Sequence, residues 1–440
     1  MVGMNDISCG CSNEFQERSF CMNTTNDKVD MPEVARRFLR YVKIDTQSME
    51  ESKTYPSTHK QKDLSRLLVK ELKELGIEDA EMDEWGYVTA TLPSTTAKEN
   101  VPIIGLIAHV DTSPEVSGEG VKPIVHRNYD GGRIELPGGE SVCLDPENAA
   151  HLKECAGQDI ITSDGSTLLG ADDKAGIAEI MTAVEWFLNH PEVPRGTVRI
   201  AFTCDEEIGK GTDHFDVEAF GAKYAYTVDG ETAGEIEDET FCADSATVVF
   251  KGQNVHPGYA KNKLVNSMKA AGKLLADLPR NKAPETTEAR QGYLHPISVE
   301  GDVEKTTVKL IIRDFEEKGL EDLVGELRSL VAVAAESFAG VEYELEIKHQ
   351  YRNMKRHLDE DPRVVDFALE AVRRTGFTPT LAAIRGGTDG ARLTYMGLLT
   401  PNIFTGGHNF HARNEWISIQ HMELAVNTLV ELIKLWEEKS

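Results

Sequence analysis

The sequence predicts an α/β fold, a mostly parallel sheet flanked by helices, interrupted by an inserted α+β segment. Three observations carry that prediction. Apolar runs of strand length alternate with runs of helical periodicity over residues 87–230, the pattern of a sheet built through helical crossovers. The run VPIIGLIAHVD, residues 101–111, is apolar enough to be buried on both faces, as a central parallel strand must be. Near residue 241 the order changes to strand, helix, strand, strand, helix, strand, the ferredoxin-like order, and α/β character returns from Asp361.

Each element has its own signal. Residues 1–30 are polar and aperiodic, and read as a disordered extension, with Met22 or Met31 as alternative starts. From Pro32 the run VARRFLRYVKI is amphipathic. In KDLSRLLVKELKELG, Leu64, Leu67, Leu68, Leu72 and Leu75 fall at helical spacing and Gly76 is a stop. YVTATLP and VPIIGLIAHVD read as strands, AGIAEIMTAVEWFLNH as a helix, and TVRIAFTCDEE and AKYAYTVDG as strands. In the inserted part, ATVVFKG, HPISVEG, TTVKLIIRD and YELEIKHQY read as strands. LVNSMKAAGKLLADL and GLEDLVGELRSLVAVAAESF read as helices. VVDFALEAVRRTG and MELAVNTLVELIKLWEEK close the chain as helices. The expected organisation is an extension over 1–30, one α/β domain made of 31–240 and 354–440, and an inserted domain over 241–353.

Composition narrows the function. In 440 residues, 40% hydrophobic and 28% charged are ordinary globular proportions. The 74 Asp+Glu against 47 Lys+Arg give a formal charge of -27, which repels nucleic-acid backbones and anionic lipid surfaces. No apolar run reaches the length of a membrane-spanning helix. The first residues lack a basic and then apolar leader, so no secretory signal is expected. Seven scattered cysteines, an odd number, without zinc-ribbon spacing fit reduced thiols and a cytoplasmic setting.

The acids and histidines fall in a pattern. His109 and Asp111 end one strand, Glu206 and Glu207 follow another, and Asp229 ends a third. Asp172 and Asp173 lie at the turn GADDKAG, and His408 and His411 lie in the loop TGGHNFHARNE. Ligands of open α/β sheets bind outside the carboxyl ends of the strands. Carboxylates crowded there repel one another unless a cation intervenes. The set His109, Asp172, Glu207, Asp229 and His411 supplies enough nitrogen and oxygen donors for two metal ions if one carboxylate bridges, and Asp172, at a turn, is the choice for the bridge. Zinc suits these donors, with cobalt or manganese as substitutes. Asp111 is placed to support His109 from behind. Glu206, beside a ligand, is the candidate general base. Each signal has a bland alternative: an N-cap for GADDKAG, a solvated run for Asp-Glu-Glu, a turn former for Asp229. Their joint occurrence at strand ends favours the metal. In the inserted part His256 precedes Pro257 in a loop, and Arg313 lies near a strand end. Arg385 precedes two glycines. Either arginine has the fork that grips a carboxylate, or makes a structural ion pair.

The segments TLLGADDKAGIAEIMTA, FTCDEEIGKGTDHFDV, YAYTVDG, NVHPG, IIRDF and IRGGTDGARL resemble the tripeptide aminopeptidases of the co-catalytic zinc peptidase superfamily, which also holds glutamate carboxypeptidases and aminoacylases. The resemblance runs from about Met31 to the C-terminus. It implies a dizinc catalytic domain with an inserted lid that also serves dimerisation. It implies His109, Asp172 and Asp229 on one zinc and Asp172, Glu207 and His411 on the other, with His411 preferred over His408. Glu206 matches the base, Asp111 the acid behind the first histidine, and His256 a lid histidine that helps hold the oxyanion. Arg313 and Arg385 match positions that bind a peptide's C-terminal carboxylate. The implied reaction is removal of the N-terminal residue from tripeptides. A deacylase or carboxypeptidase acting on N-acyl amino acids is the alternative within the superfamily, because the metal residues are shared.

Overall fold

The periodic runs become the elements they predict. The amphipathic segments form helices Glu33–Tyr41 and Gln61–Glu74, the latter stopping before Gly76, whose φ of 96° no side chain would favour. The structure, a computed structural model, describes residues 31–440. The extension expected over 1–30, with Cys9, Cys11 and Cys21, lies outside the described residues.

The main sheet has eight strands, in the order Glu81–Met82, Val88–Leu92, Val198–Thr203, Ile104–His109, Tyr224–Gly230, Asn402–Phe404, Glu235–Thr240 and Thr380–Ile384. Its middle four strands run parallel to one another. Val88–Leu92 is antiparallel to its neighbour on one side, and Glu235–Thr240 is antiparallel to Asn402–Phe404 on the other. The sheet is therefore mixed, with a parallel centre. All six residues of Ile104–His109 are buried, as the apolar run requires.

Helix Ala171–Asn189 is the crossover that positions the site. It is apolar nearly all round because it lies between the sheet on one side and helices Glu33–Tyr41 and Ile419–Glu438 on the other. Gly176 is what lets it approach so closely: a Cβ there would lie 1.8 Å from the Val228 carbonyl oxygen. The first turn of this helix is therefore pressed against the end of the strand that carries Asp229.

Residues 242–351 form a second sheet, antiparallel throughout, in the order Tyr293–Gly301, Lys305–Asp314, Cys242–Lys251, Glu342–Tyr351. Helices Ser267–Asp277 and Glu317–Glu336 cover it over an apolar core that includes Val248, Phe250, Leu274, Leu310 and Leu327. This is the strand–helix–strand–strand–helix–strand order that the sequence predicts.

Four strands of the main sheet escape the sequence reading, among them the two-residue edge strand Glu81–Met82. Glu235–Thr240 carries four acids in its six residues, so no apolar signal marks it. Thr380–Ile384 lies at the sheet edge, and Asn402–Phe404 has three residues. Cys155, Cys204 and Cys242 are buried free thiols, whereas Cys143, also in an apolar segment, is only partly buried. Among the described residues no helix is long and apolar enough to cross a membrane.

The two helical glycines with opposite surroundings give a test of this packing. Gly176→Ala should lower the thermal unfolding midpoint, because the helix must retreat from the sheet at a cost of about 2 kcal/mol or more. Gly272→Ala, in an exposed helix position with nothing within 4 Å, should raise stability by roughly 0.5–1 kcal/mol. Equal effects at both sites would mean that the close approach at Gly176 is not a constraint.

Candidate metal centre

Neighbouring parallel strands bring their carboxyl ends together. Val198–Thr203, Ile104–His109 and Tyr224–Gly230 are adjacent, and they deliver the Glu206–Glu207 turn, His109 and Asp229 to one edge. The first turn of helix Ala171–Asn189 adds Asp172 and Asp173, both outside helical geometry. His411, with φ at 62°, reaches in from the loop after Gly407–His408.

Asp172 stands in the middle. Its Oδ1 is 2.9 Å from His109 Nε2, and its Oδ2 is 3.2 Å from His411 Nε2. His109 Nε2 is also 3.5 Å from Asp229 Oδ1, and His411 Nε2 is 2.8 Å from Glu207 Oε2. One carboxylate thus addresses two imidazoles, each of which meets a second carboxylate. The five residues singled out in the sequence converge.

The donor set fits metal ions. Tetrahedral zinc with bonds of about 2.05 Å sets its ligand atoms about 3.3 Å apart, close to the spacings found here. The buried Glu207 Oε1 has no hydrogen-bond partner among the described residues, which is costly for a carboxylate without a cation. His109, Asp172 and Glu207 offer donor atoms within 4.8 Å of one another, as do His109, Asp173 and Asp229. The site therefore has the makings of a metal centre.

The electrostatics agree. Burial raises the Glu207 carboxyl to about 8 and Asp229 to about 6, with Asp172 adding to both. Burial by itself would lower His411, yet Asp172 and Glu207 push it up to about 12. Asp229, with Asp111 and Asp172, likewise holds His109 above its ordinary value against burial. The same carboxylates that favour a proton on these imidazoles would favour a metal there, so metal and proton would compete.

Backbone N–H groups hold the acids in position. Asp111 accepts from Glu206 N at 3.0 Å and Glu207 N at 3.2 Å, tying the Glu-Glu turn to the His109 strand. His109 Nδ1 is 3.1 Å from the Asp111 carbonyl oxygen and 3.4 Å from its carboxylate. The carboxylate expected to orient the ring mainly orients the neighbouring turn, and the backbone carbonyl is the closer ring partner. Asp173 accepts from His109 N, and Asp229 N donates to Asn402 Oδ1 at 3.1 Å.

Glu415 gives no signal in the sequence. It is buried, and its two oxygens accept from Leu169, Gly170, Ala171 and Asp172 N–H at 2.7–3.1 Å. Burial lifts it to about 7 against the pull of these donors. Its partners are the consecutive residues Leu169 to Asp172, so one carboxylate shapes the backbone that presents Asp172. Asp173, Asn402 and Glu237 are the other residues of the site that the sequence reading leaves without a role.

A cavity of about 860 Å³ opens on the centre, lined by Asp172, Glu206, Glu207, Asp229 and His411, with Arg385 and Glu237 farther along its wall. Glu206 is pushed well above its ordinary value, first by burial. Arg385 donates to the Ala289 and Gln291 carbonyls and to Thr287 Oγ1, and its guanidinium lies 5.1 Å from the Phe241 ring centre. Arg313 lines an adjoining hollow with Glu206 and Glu207, held by the Asp244 and Ile312 carbonyls beside Tyr351. His256 lines neither space. It is exposed, with its Nδ1 accepting from Gly258 N. His408 lines the same cavity, buried between the rings of His151 and Trp416, and burial lowers it to about 3.

Known proteins resemble this chain in sequence and in fold. Residues 164–435 match the model of peptidase family M20/M25/M40. A curated Geobacillus sp. protein named Peptidase T is 50% identical over 408 residues, covering 93% of this chain and 99% of its own. A Peptidase T of Listeria monocytogenes serotype 4b is 48% identical over 407 residues, covering 92% and 99%. The fold is shared with a crystal structure of aminopeptidase PepT from Bacillus cereus, at a TM-score of 0.70 and 24% identity, covering 92% of this chain and 98% of that one. It is also shared with a Bacillus subtilis structure described as a dinuclear metal-binding peptidase of the M20 family, at a TM-score of 0.63 and 15% identity, covering 92% and 98%.

The role of Glu415 is open to direct test. Glu415→Gln sets an amide N–H₂ against backbone N–H donors and should loosen the turn, lowering metal affinity roughly 10- to 100-fold. Titration of the stripped protein against a chelating competitor reads this out. Unchanged affinity would show that the turn keeps its shape without the carboxylate.

Proposed function

The chain belongs to peptidase family M20/M25/M40, and from that premise we propose that it is a metal-dependent aminopeptidase that removes the N-terminal residue from tripeptides. One observation carries the reading: the two oxygens of Asp172 face two different histidines, the arrangement that a bridging carboxylate between two metal ions requires. The likeness to relatives named Peptidase T supplies the substrate class.

In this reading His109, Asp172 and Asp229 hold one zinc, and Asp172, Glu207 and His411 hold the other, with cobalt or manganese as substitutes. When bound, the two ions polarise the scissile carbonyl and acidify the attacking water. Glu206 lies on the cavity wall, its main chain fixed by Asp111, and its raised affinity for a proton suits a general base. It takes the proton from water and delivers it to the leaving amine. Asp111 keeps the Glu206–Glu207 turn against the His109 strand.

Arg385 and Arg313 receive the C-terminal carboxylate of the peptide, which limits the length that fits. Residues 241–353 serve as a lid, with dimerisation as a second role. His256 lies outside the cavity, so a part in holding the oxyanion requires movement of the segment that carries it, or its delivery by a second copy. The acidic surface, with its charge of -27, supports a small peptide rather than nucleic acid or membrane as partner, and the scattered cysteines support a cytoplasmic setting.

The Glu206→Gln variant tests the mechanism. It should bind metal as wild type does and lose about 10²- to 10⁴-fold in kcat on a free-amine tripeptide. Wild-type turnover in that variant would place the base elsewhere. The same assay run on a dipeptide, a tripeptide, a tetrapeptide and an N-acetylated tripeptide should favour the free-amine tripeptide. Preference for the acetylated form would make the enzyme a deacylase instead.

A further inference from the structure

The strand Glu235–Thr240 is dense in acids, and most of the buried ones are matched. Asp238 pairs with Lys355 at 2.6 Å, and Glu239 pairs with Arg290 and accepts from Asn353. Glu237 is different. It is only 8% exposed, lines the cavity, and forms no ion pair among the described residues. Its Oε2 accepts from Asn402 Nδ2 at 2.6 Å. Its Oε1 accepts nothing among the described residues, yet is not sealed inside the protein, so it opens on the cavity. The charged groups that bear most on it, Asp229, Glu235 and Glu231, are acids. A carboxylate so placed lacks its cation.

Its position says which cation. Asn402 joins Glu237 to the metal centre: the Asn402 side chain accepts from Asp229 N through Oδ1 and donates to Glu237 through Nδ2. Glu237 and Asn402 are paired in register on neighbouring strands. In an N-terminal residue a single Cα separates the ammonium from the carbonyl that is attacked, so the ammonium must sit beside the metals. Arg385 follows Ile384, and Ala382 on that same edge strand pairs with Glu237. Three residues of strand, about 10 Å, separate the two levels, the length of an extended tripeptide.

We propose that Glu237, oriented by Asn402, binds the N-terminal ammonium of the peptide substrate. This rests on the tripeptide aminopeptidase reading and deepens it. A free amine supplies the missing cation and gains a charge-assisted hydrogen bond. An acylated terminus supplies none and leaves the carboxylate uncompensated, so the same residue selects for the amine and against its acylated form.

Steady-state kinetics on the metal-loaded full chain decide the matter, with Ala-Ala-Ala compared against propionyl-Ala-Ala, which carries hydrogen in place of the ammonium. Glu237→Gln keeps an oxygen for Asn402 and turns an amide towards the cavity. It should cut the preference for the amine roughly 10- to 100-fold, through a higher KM for Ala-Ala-Ala and a propionyl substrate cleaved at least as fast as by the wild type, with metal content unchanged. Glu237→Asp, which keeps the charge but withdraws it by one methylene, should give an intermediate preference. If either variant slows both substrates equally, or if the preference survives in both, Glu237 does not bind the amine, while the aminopeptidase reading stands. A wild-type enzyme with no preference for the amine overturns both.

Discussion

The structure turns on a concentration of negative charge that the protein alone does not neutralise. Asp172, Asp173, Glu206, Glu207 and Asp229 meet at one sheet edge with two imidazoles, inside a cavity whose wall carries further acids. Carboxylates this close repel, and burial makes each one costlier to ionise. Divalent cations remove both costs together, and the position of Asp172 between His109 and His411 fixes where those cations belong. The parallel strands, the glycine that presses the helix onto the sheet, and the cavity all follow from delivering these groups to one place.

How the acids are held is as informative as where they are. Asp111, Asp173 and Glu415 take their hydrogen bonds from backbone N–H groups rather than from lysine or arginine. A backbone donor stabilises a carboxylate and fixes its direction without bringing a full positive charge to compete for the ligands. The centre keeps its negative potential and its geometry at once. Lys174 is buried in the same helix turn and donates to the Ile44 carbonyl rather than to a ligand, and burial lowers it to about 8.

Much of this was legible in the sequence. Strand ends are marked by apolar runs that stop at polar residues, so His109, Glu207 and Asp229 could be placed on one edge before any coordinates. Glu415 and Asn402 could not. Each is a single polar residue in or beside a short element, without periodicity, and its role comes from partners far away in the chain. The Glu235–Thr240 strand was hidden for a related reason. A sequence such as EIEDET reads as solvated, and only its neighbours in the sheet bury it.

The order of residues therefore determined the fold class, the two-part organisation of strands and helices, and the identity of five convergent donors, because hydrophobic periodicity and strand termini are local properties. Tertiary structure alone decided that Asp172 lies between two histidines, that Asp111 braces the Glu-Glu turn more than the imidazole, and that His256 stands away from the cavity. It also decided that Glu237, among the described residues, forms no ion pair. These facts depend on distances across the chain, and electrostatic and hydrogen-bonding energies are set by distance and burial, which no local pattern encodes.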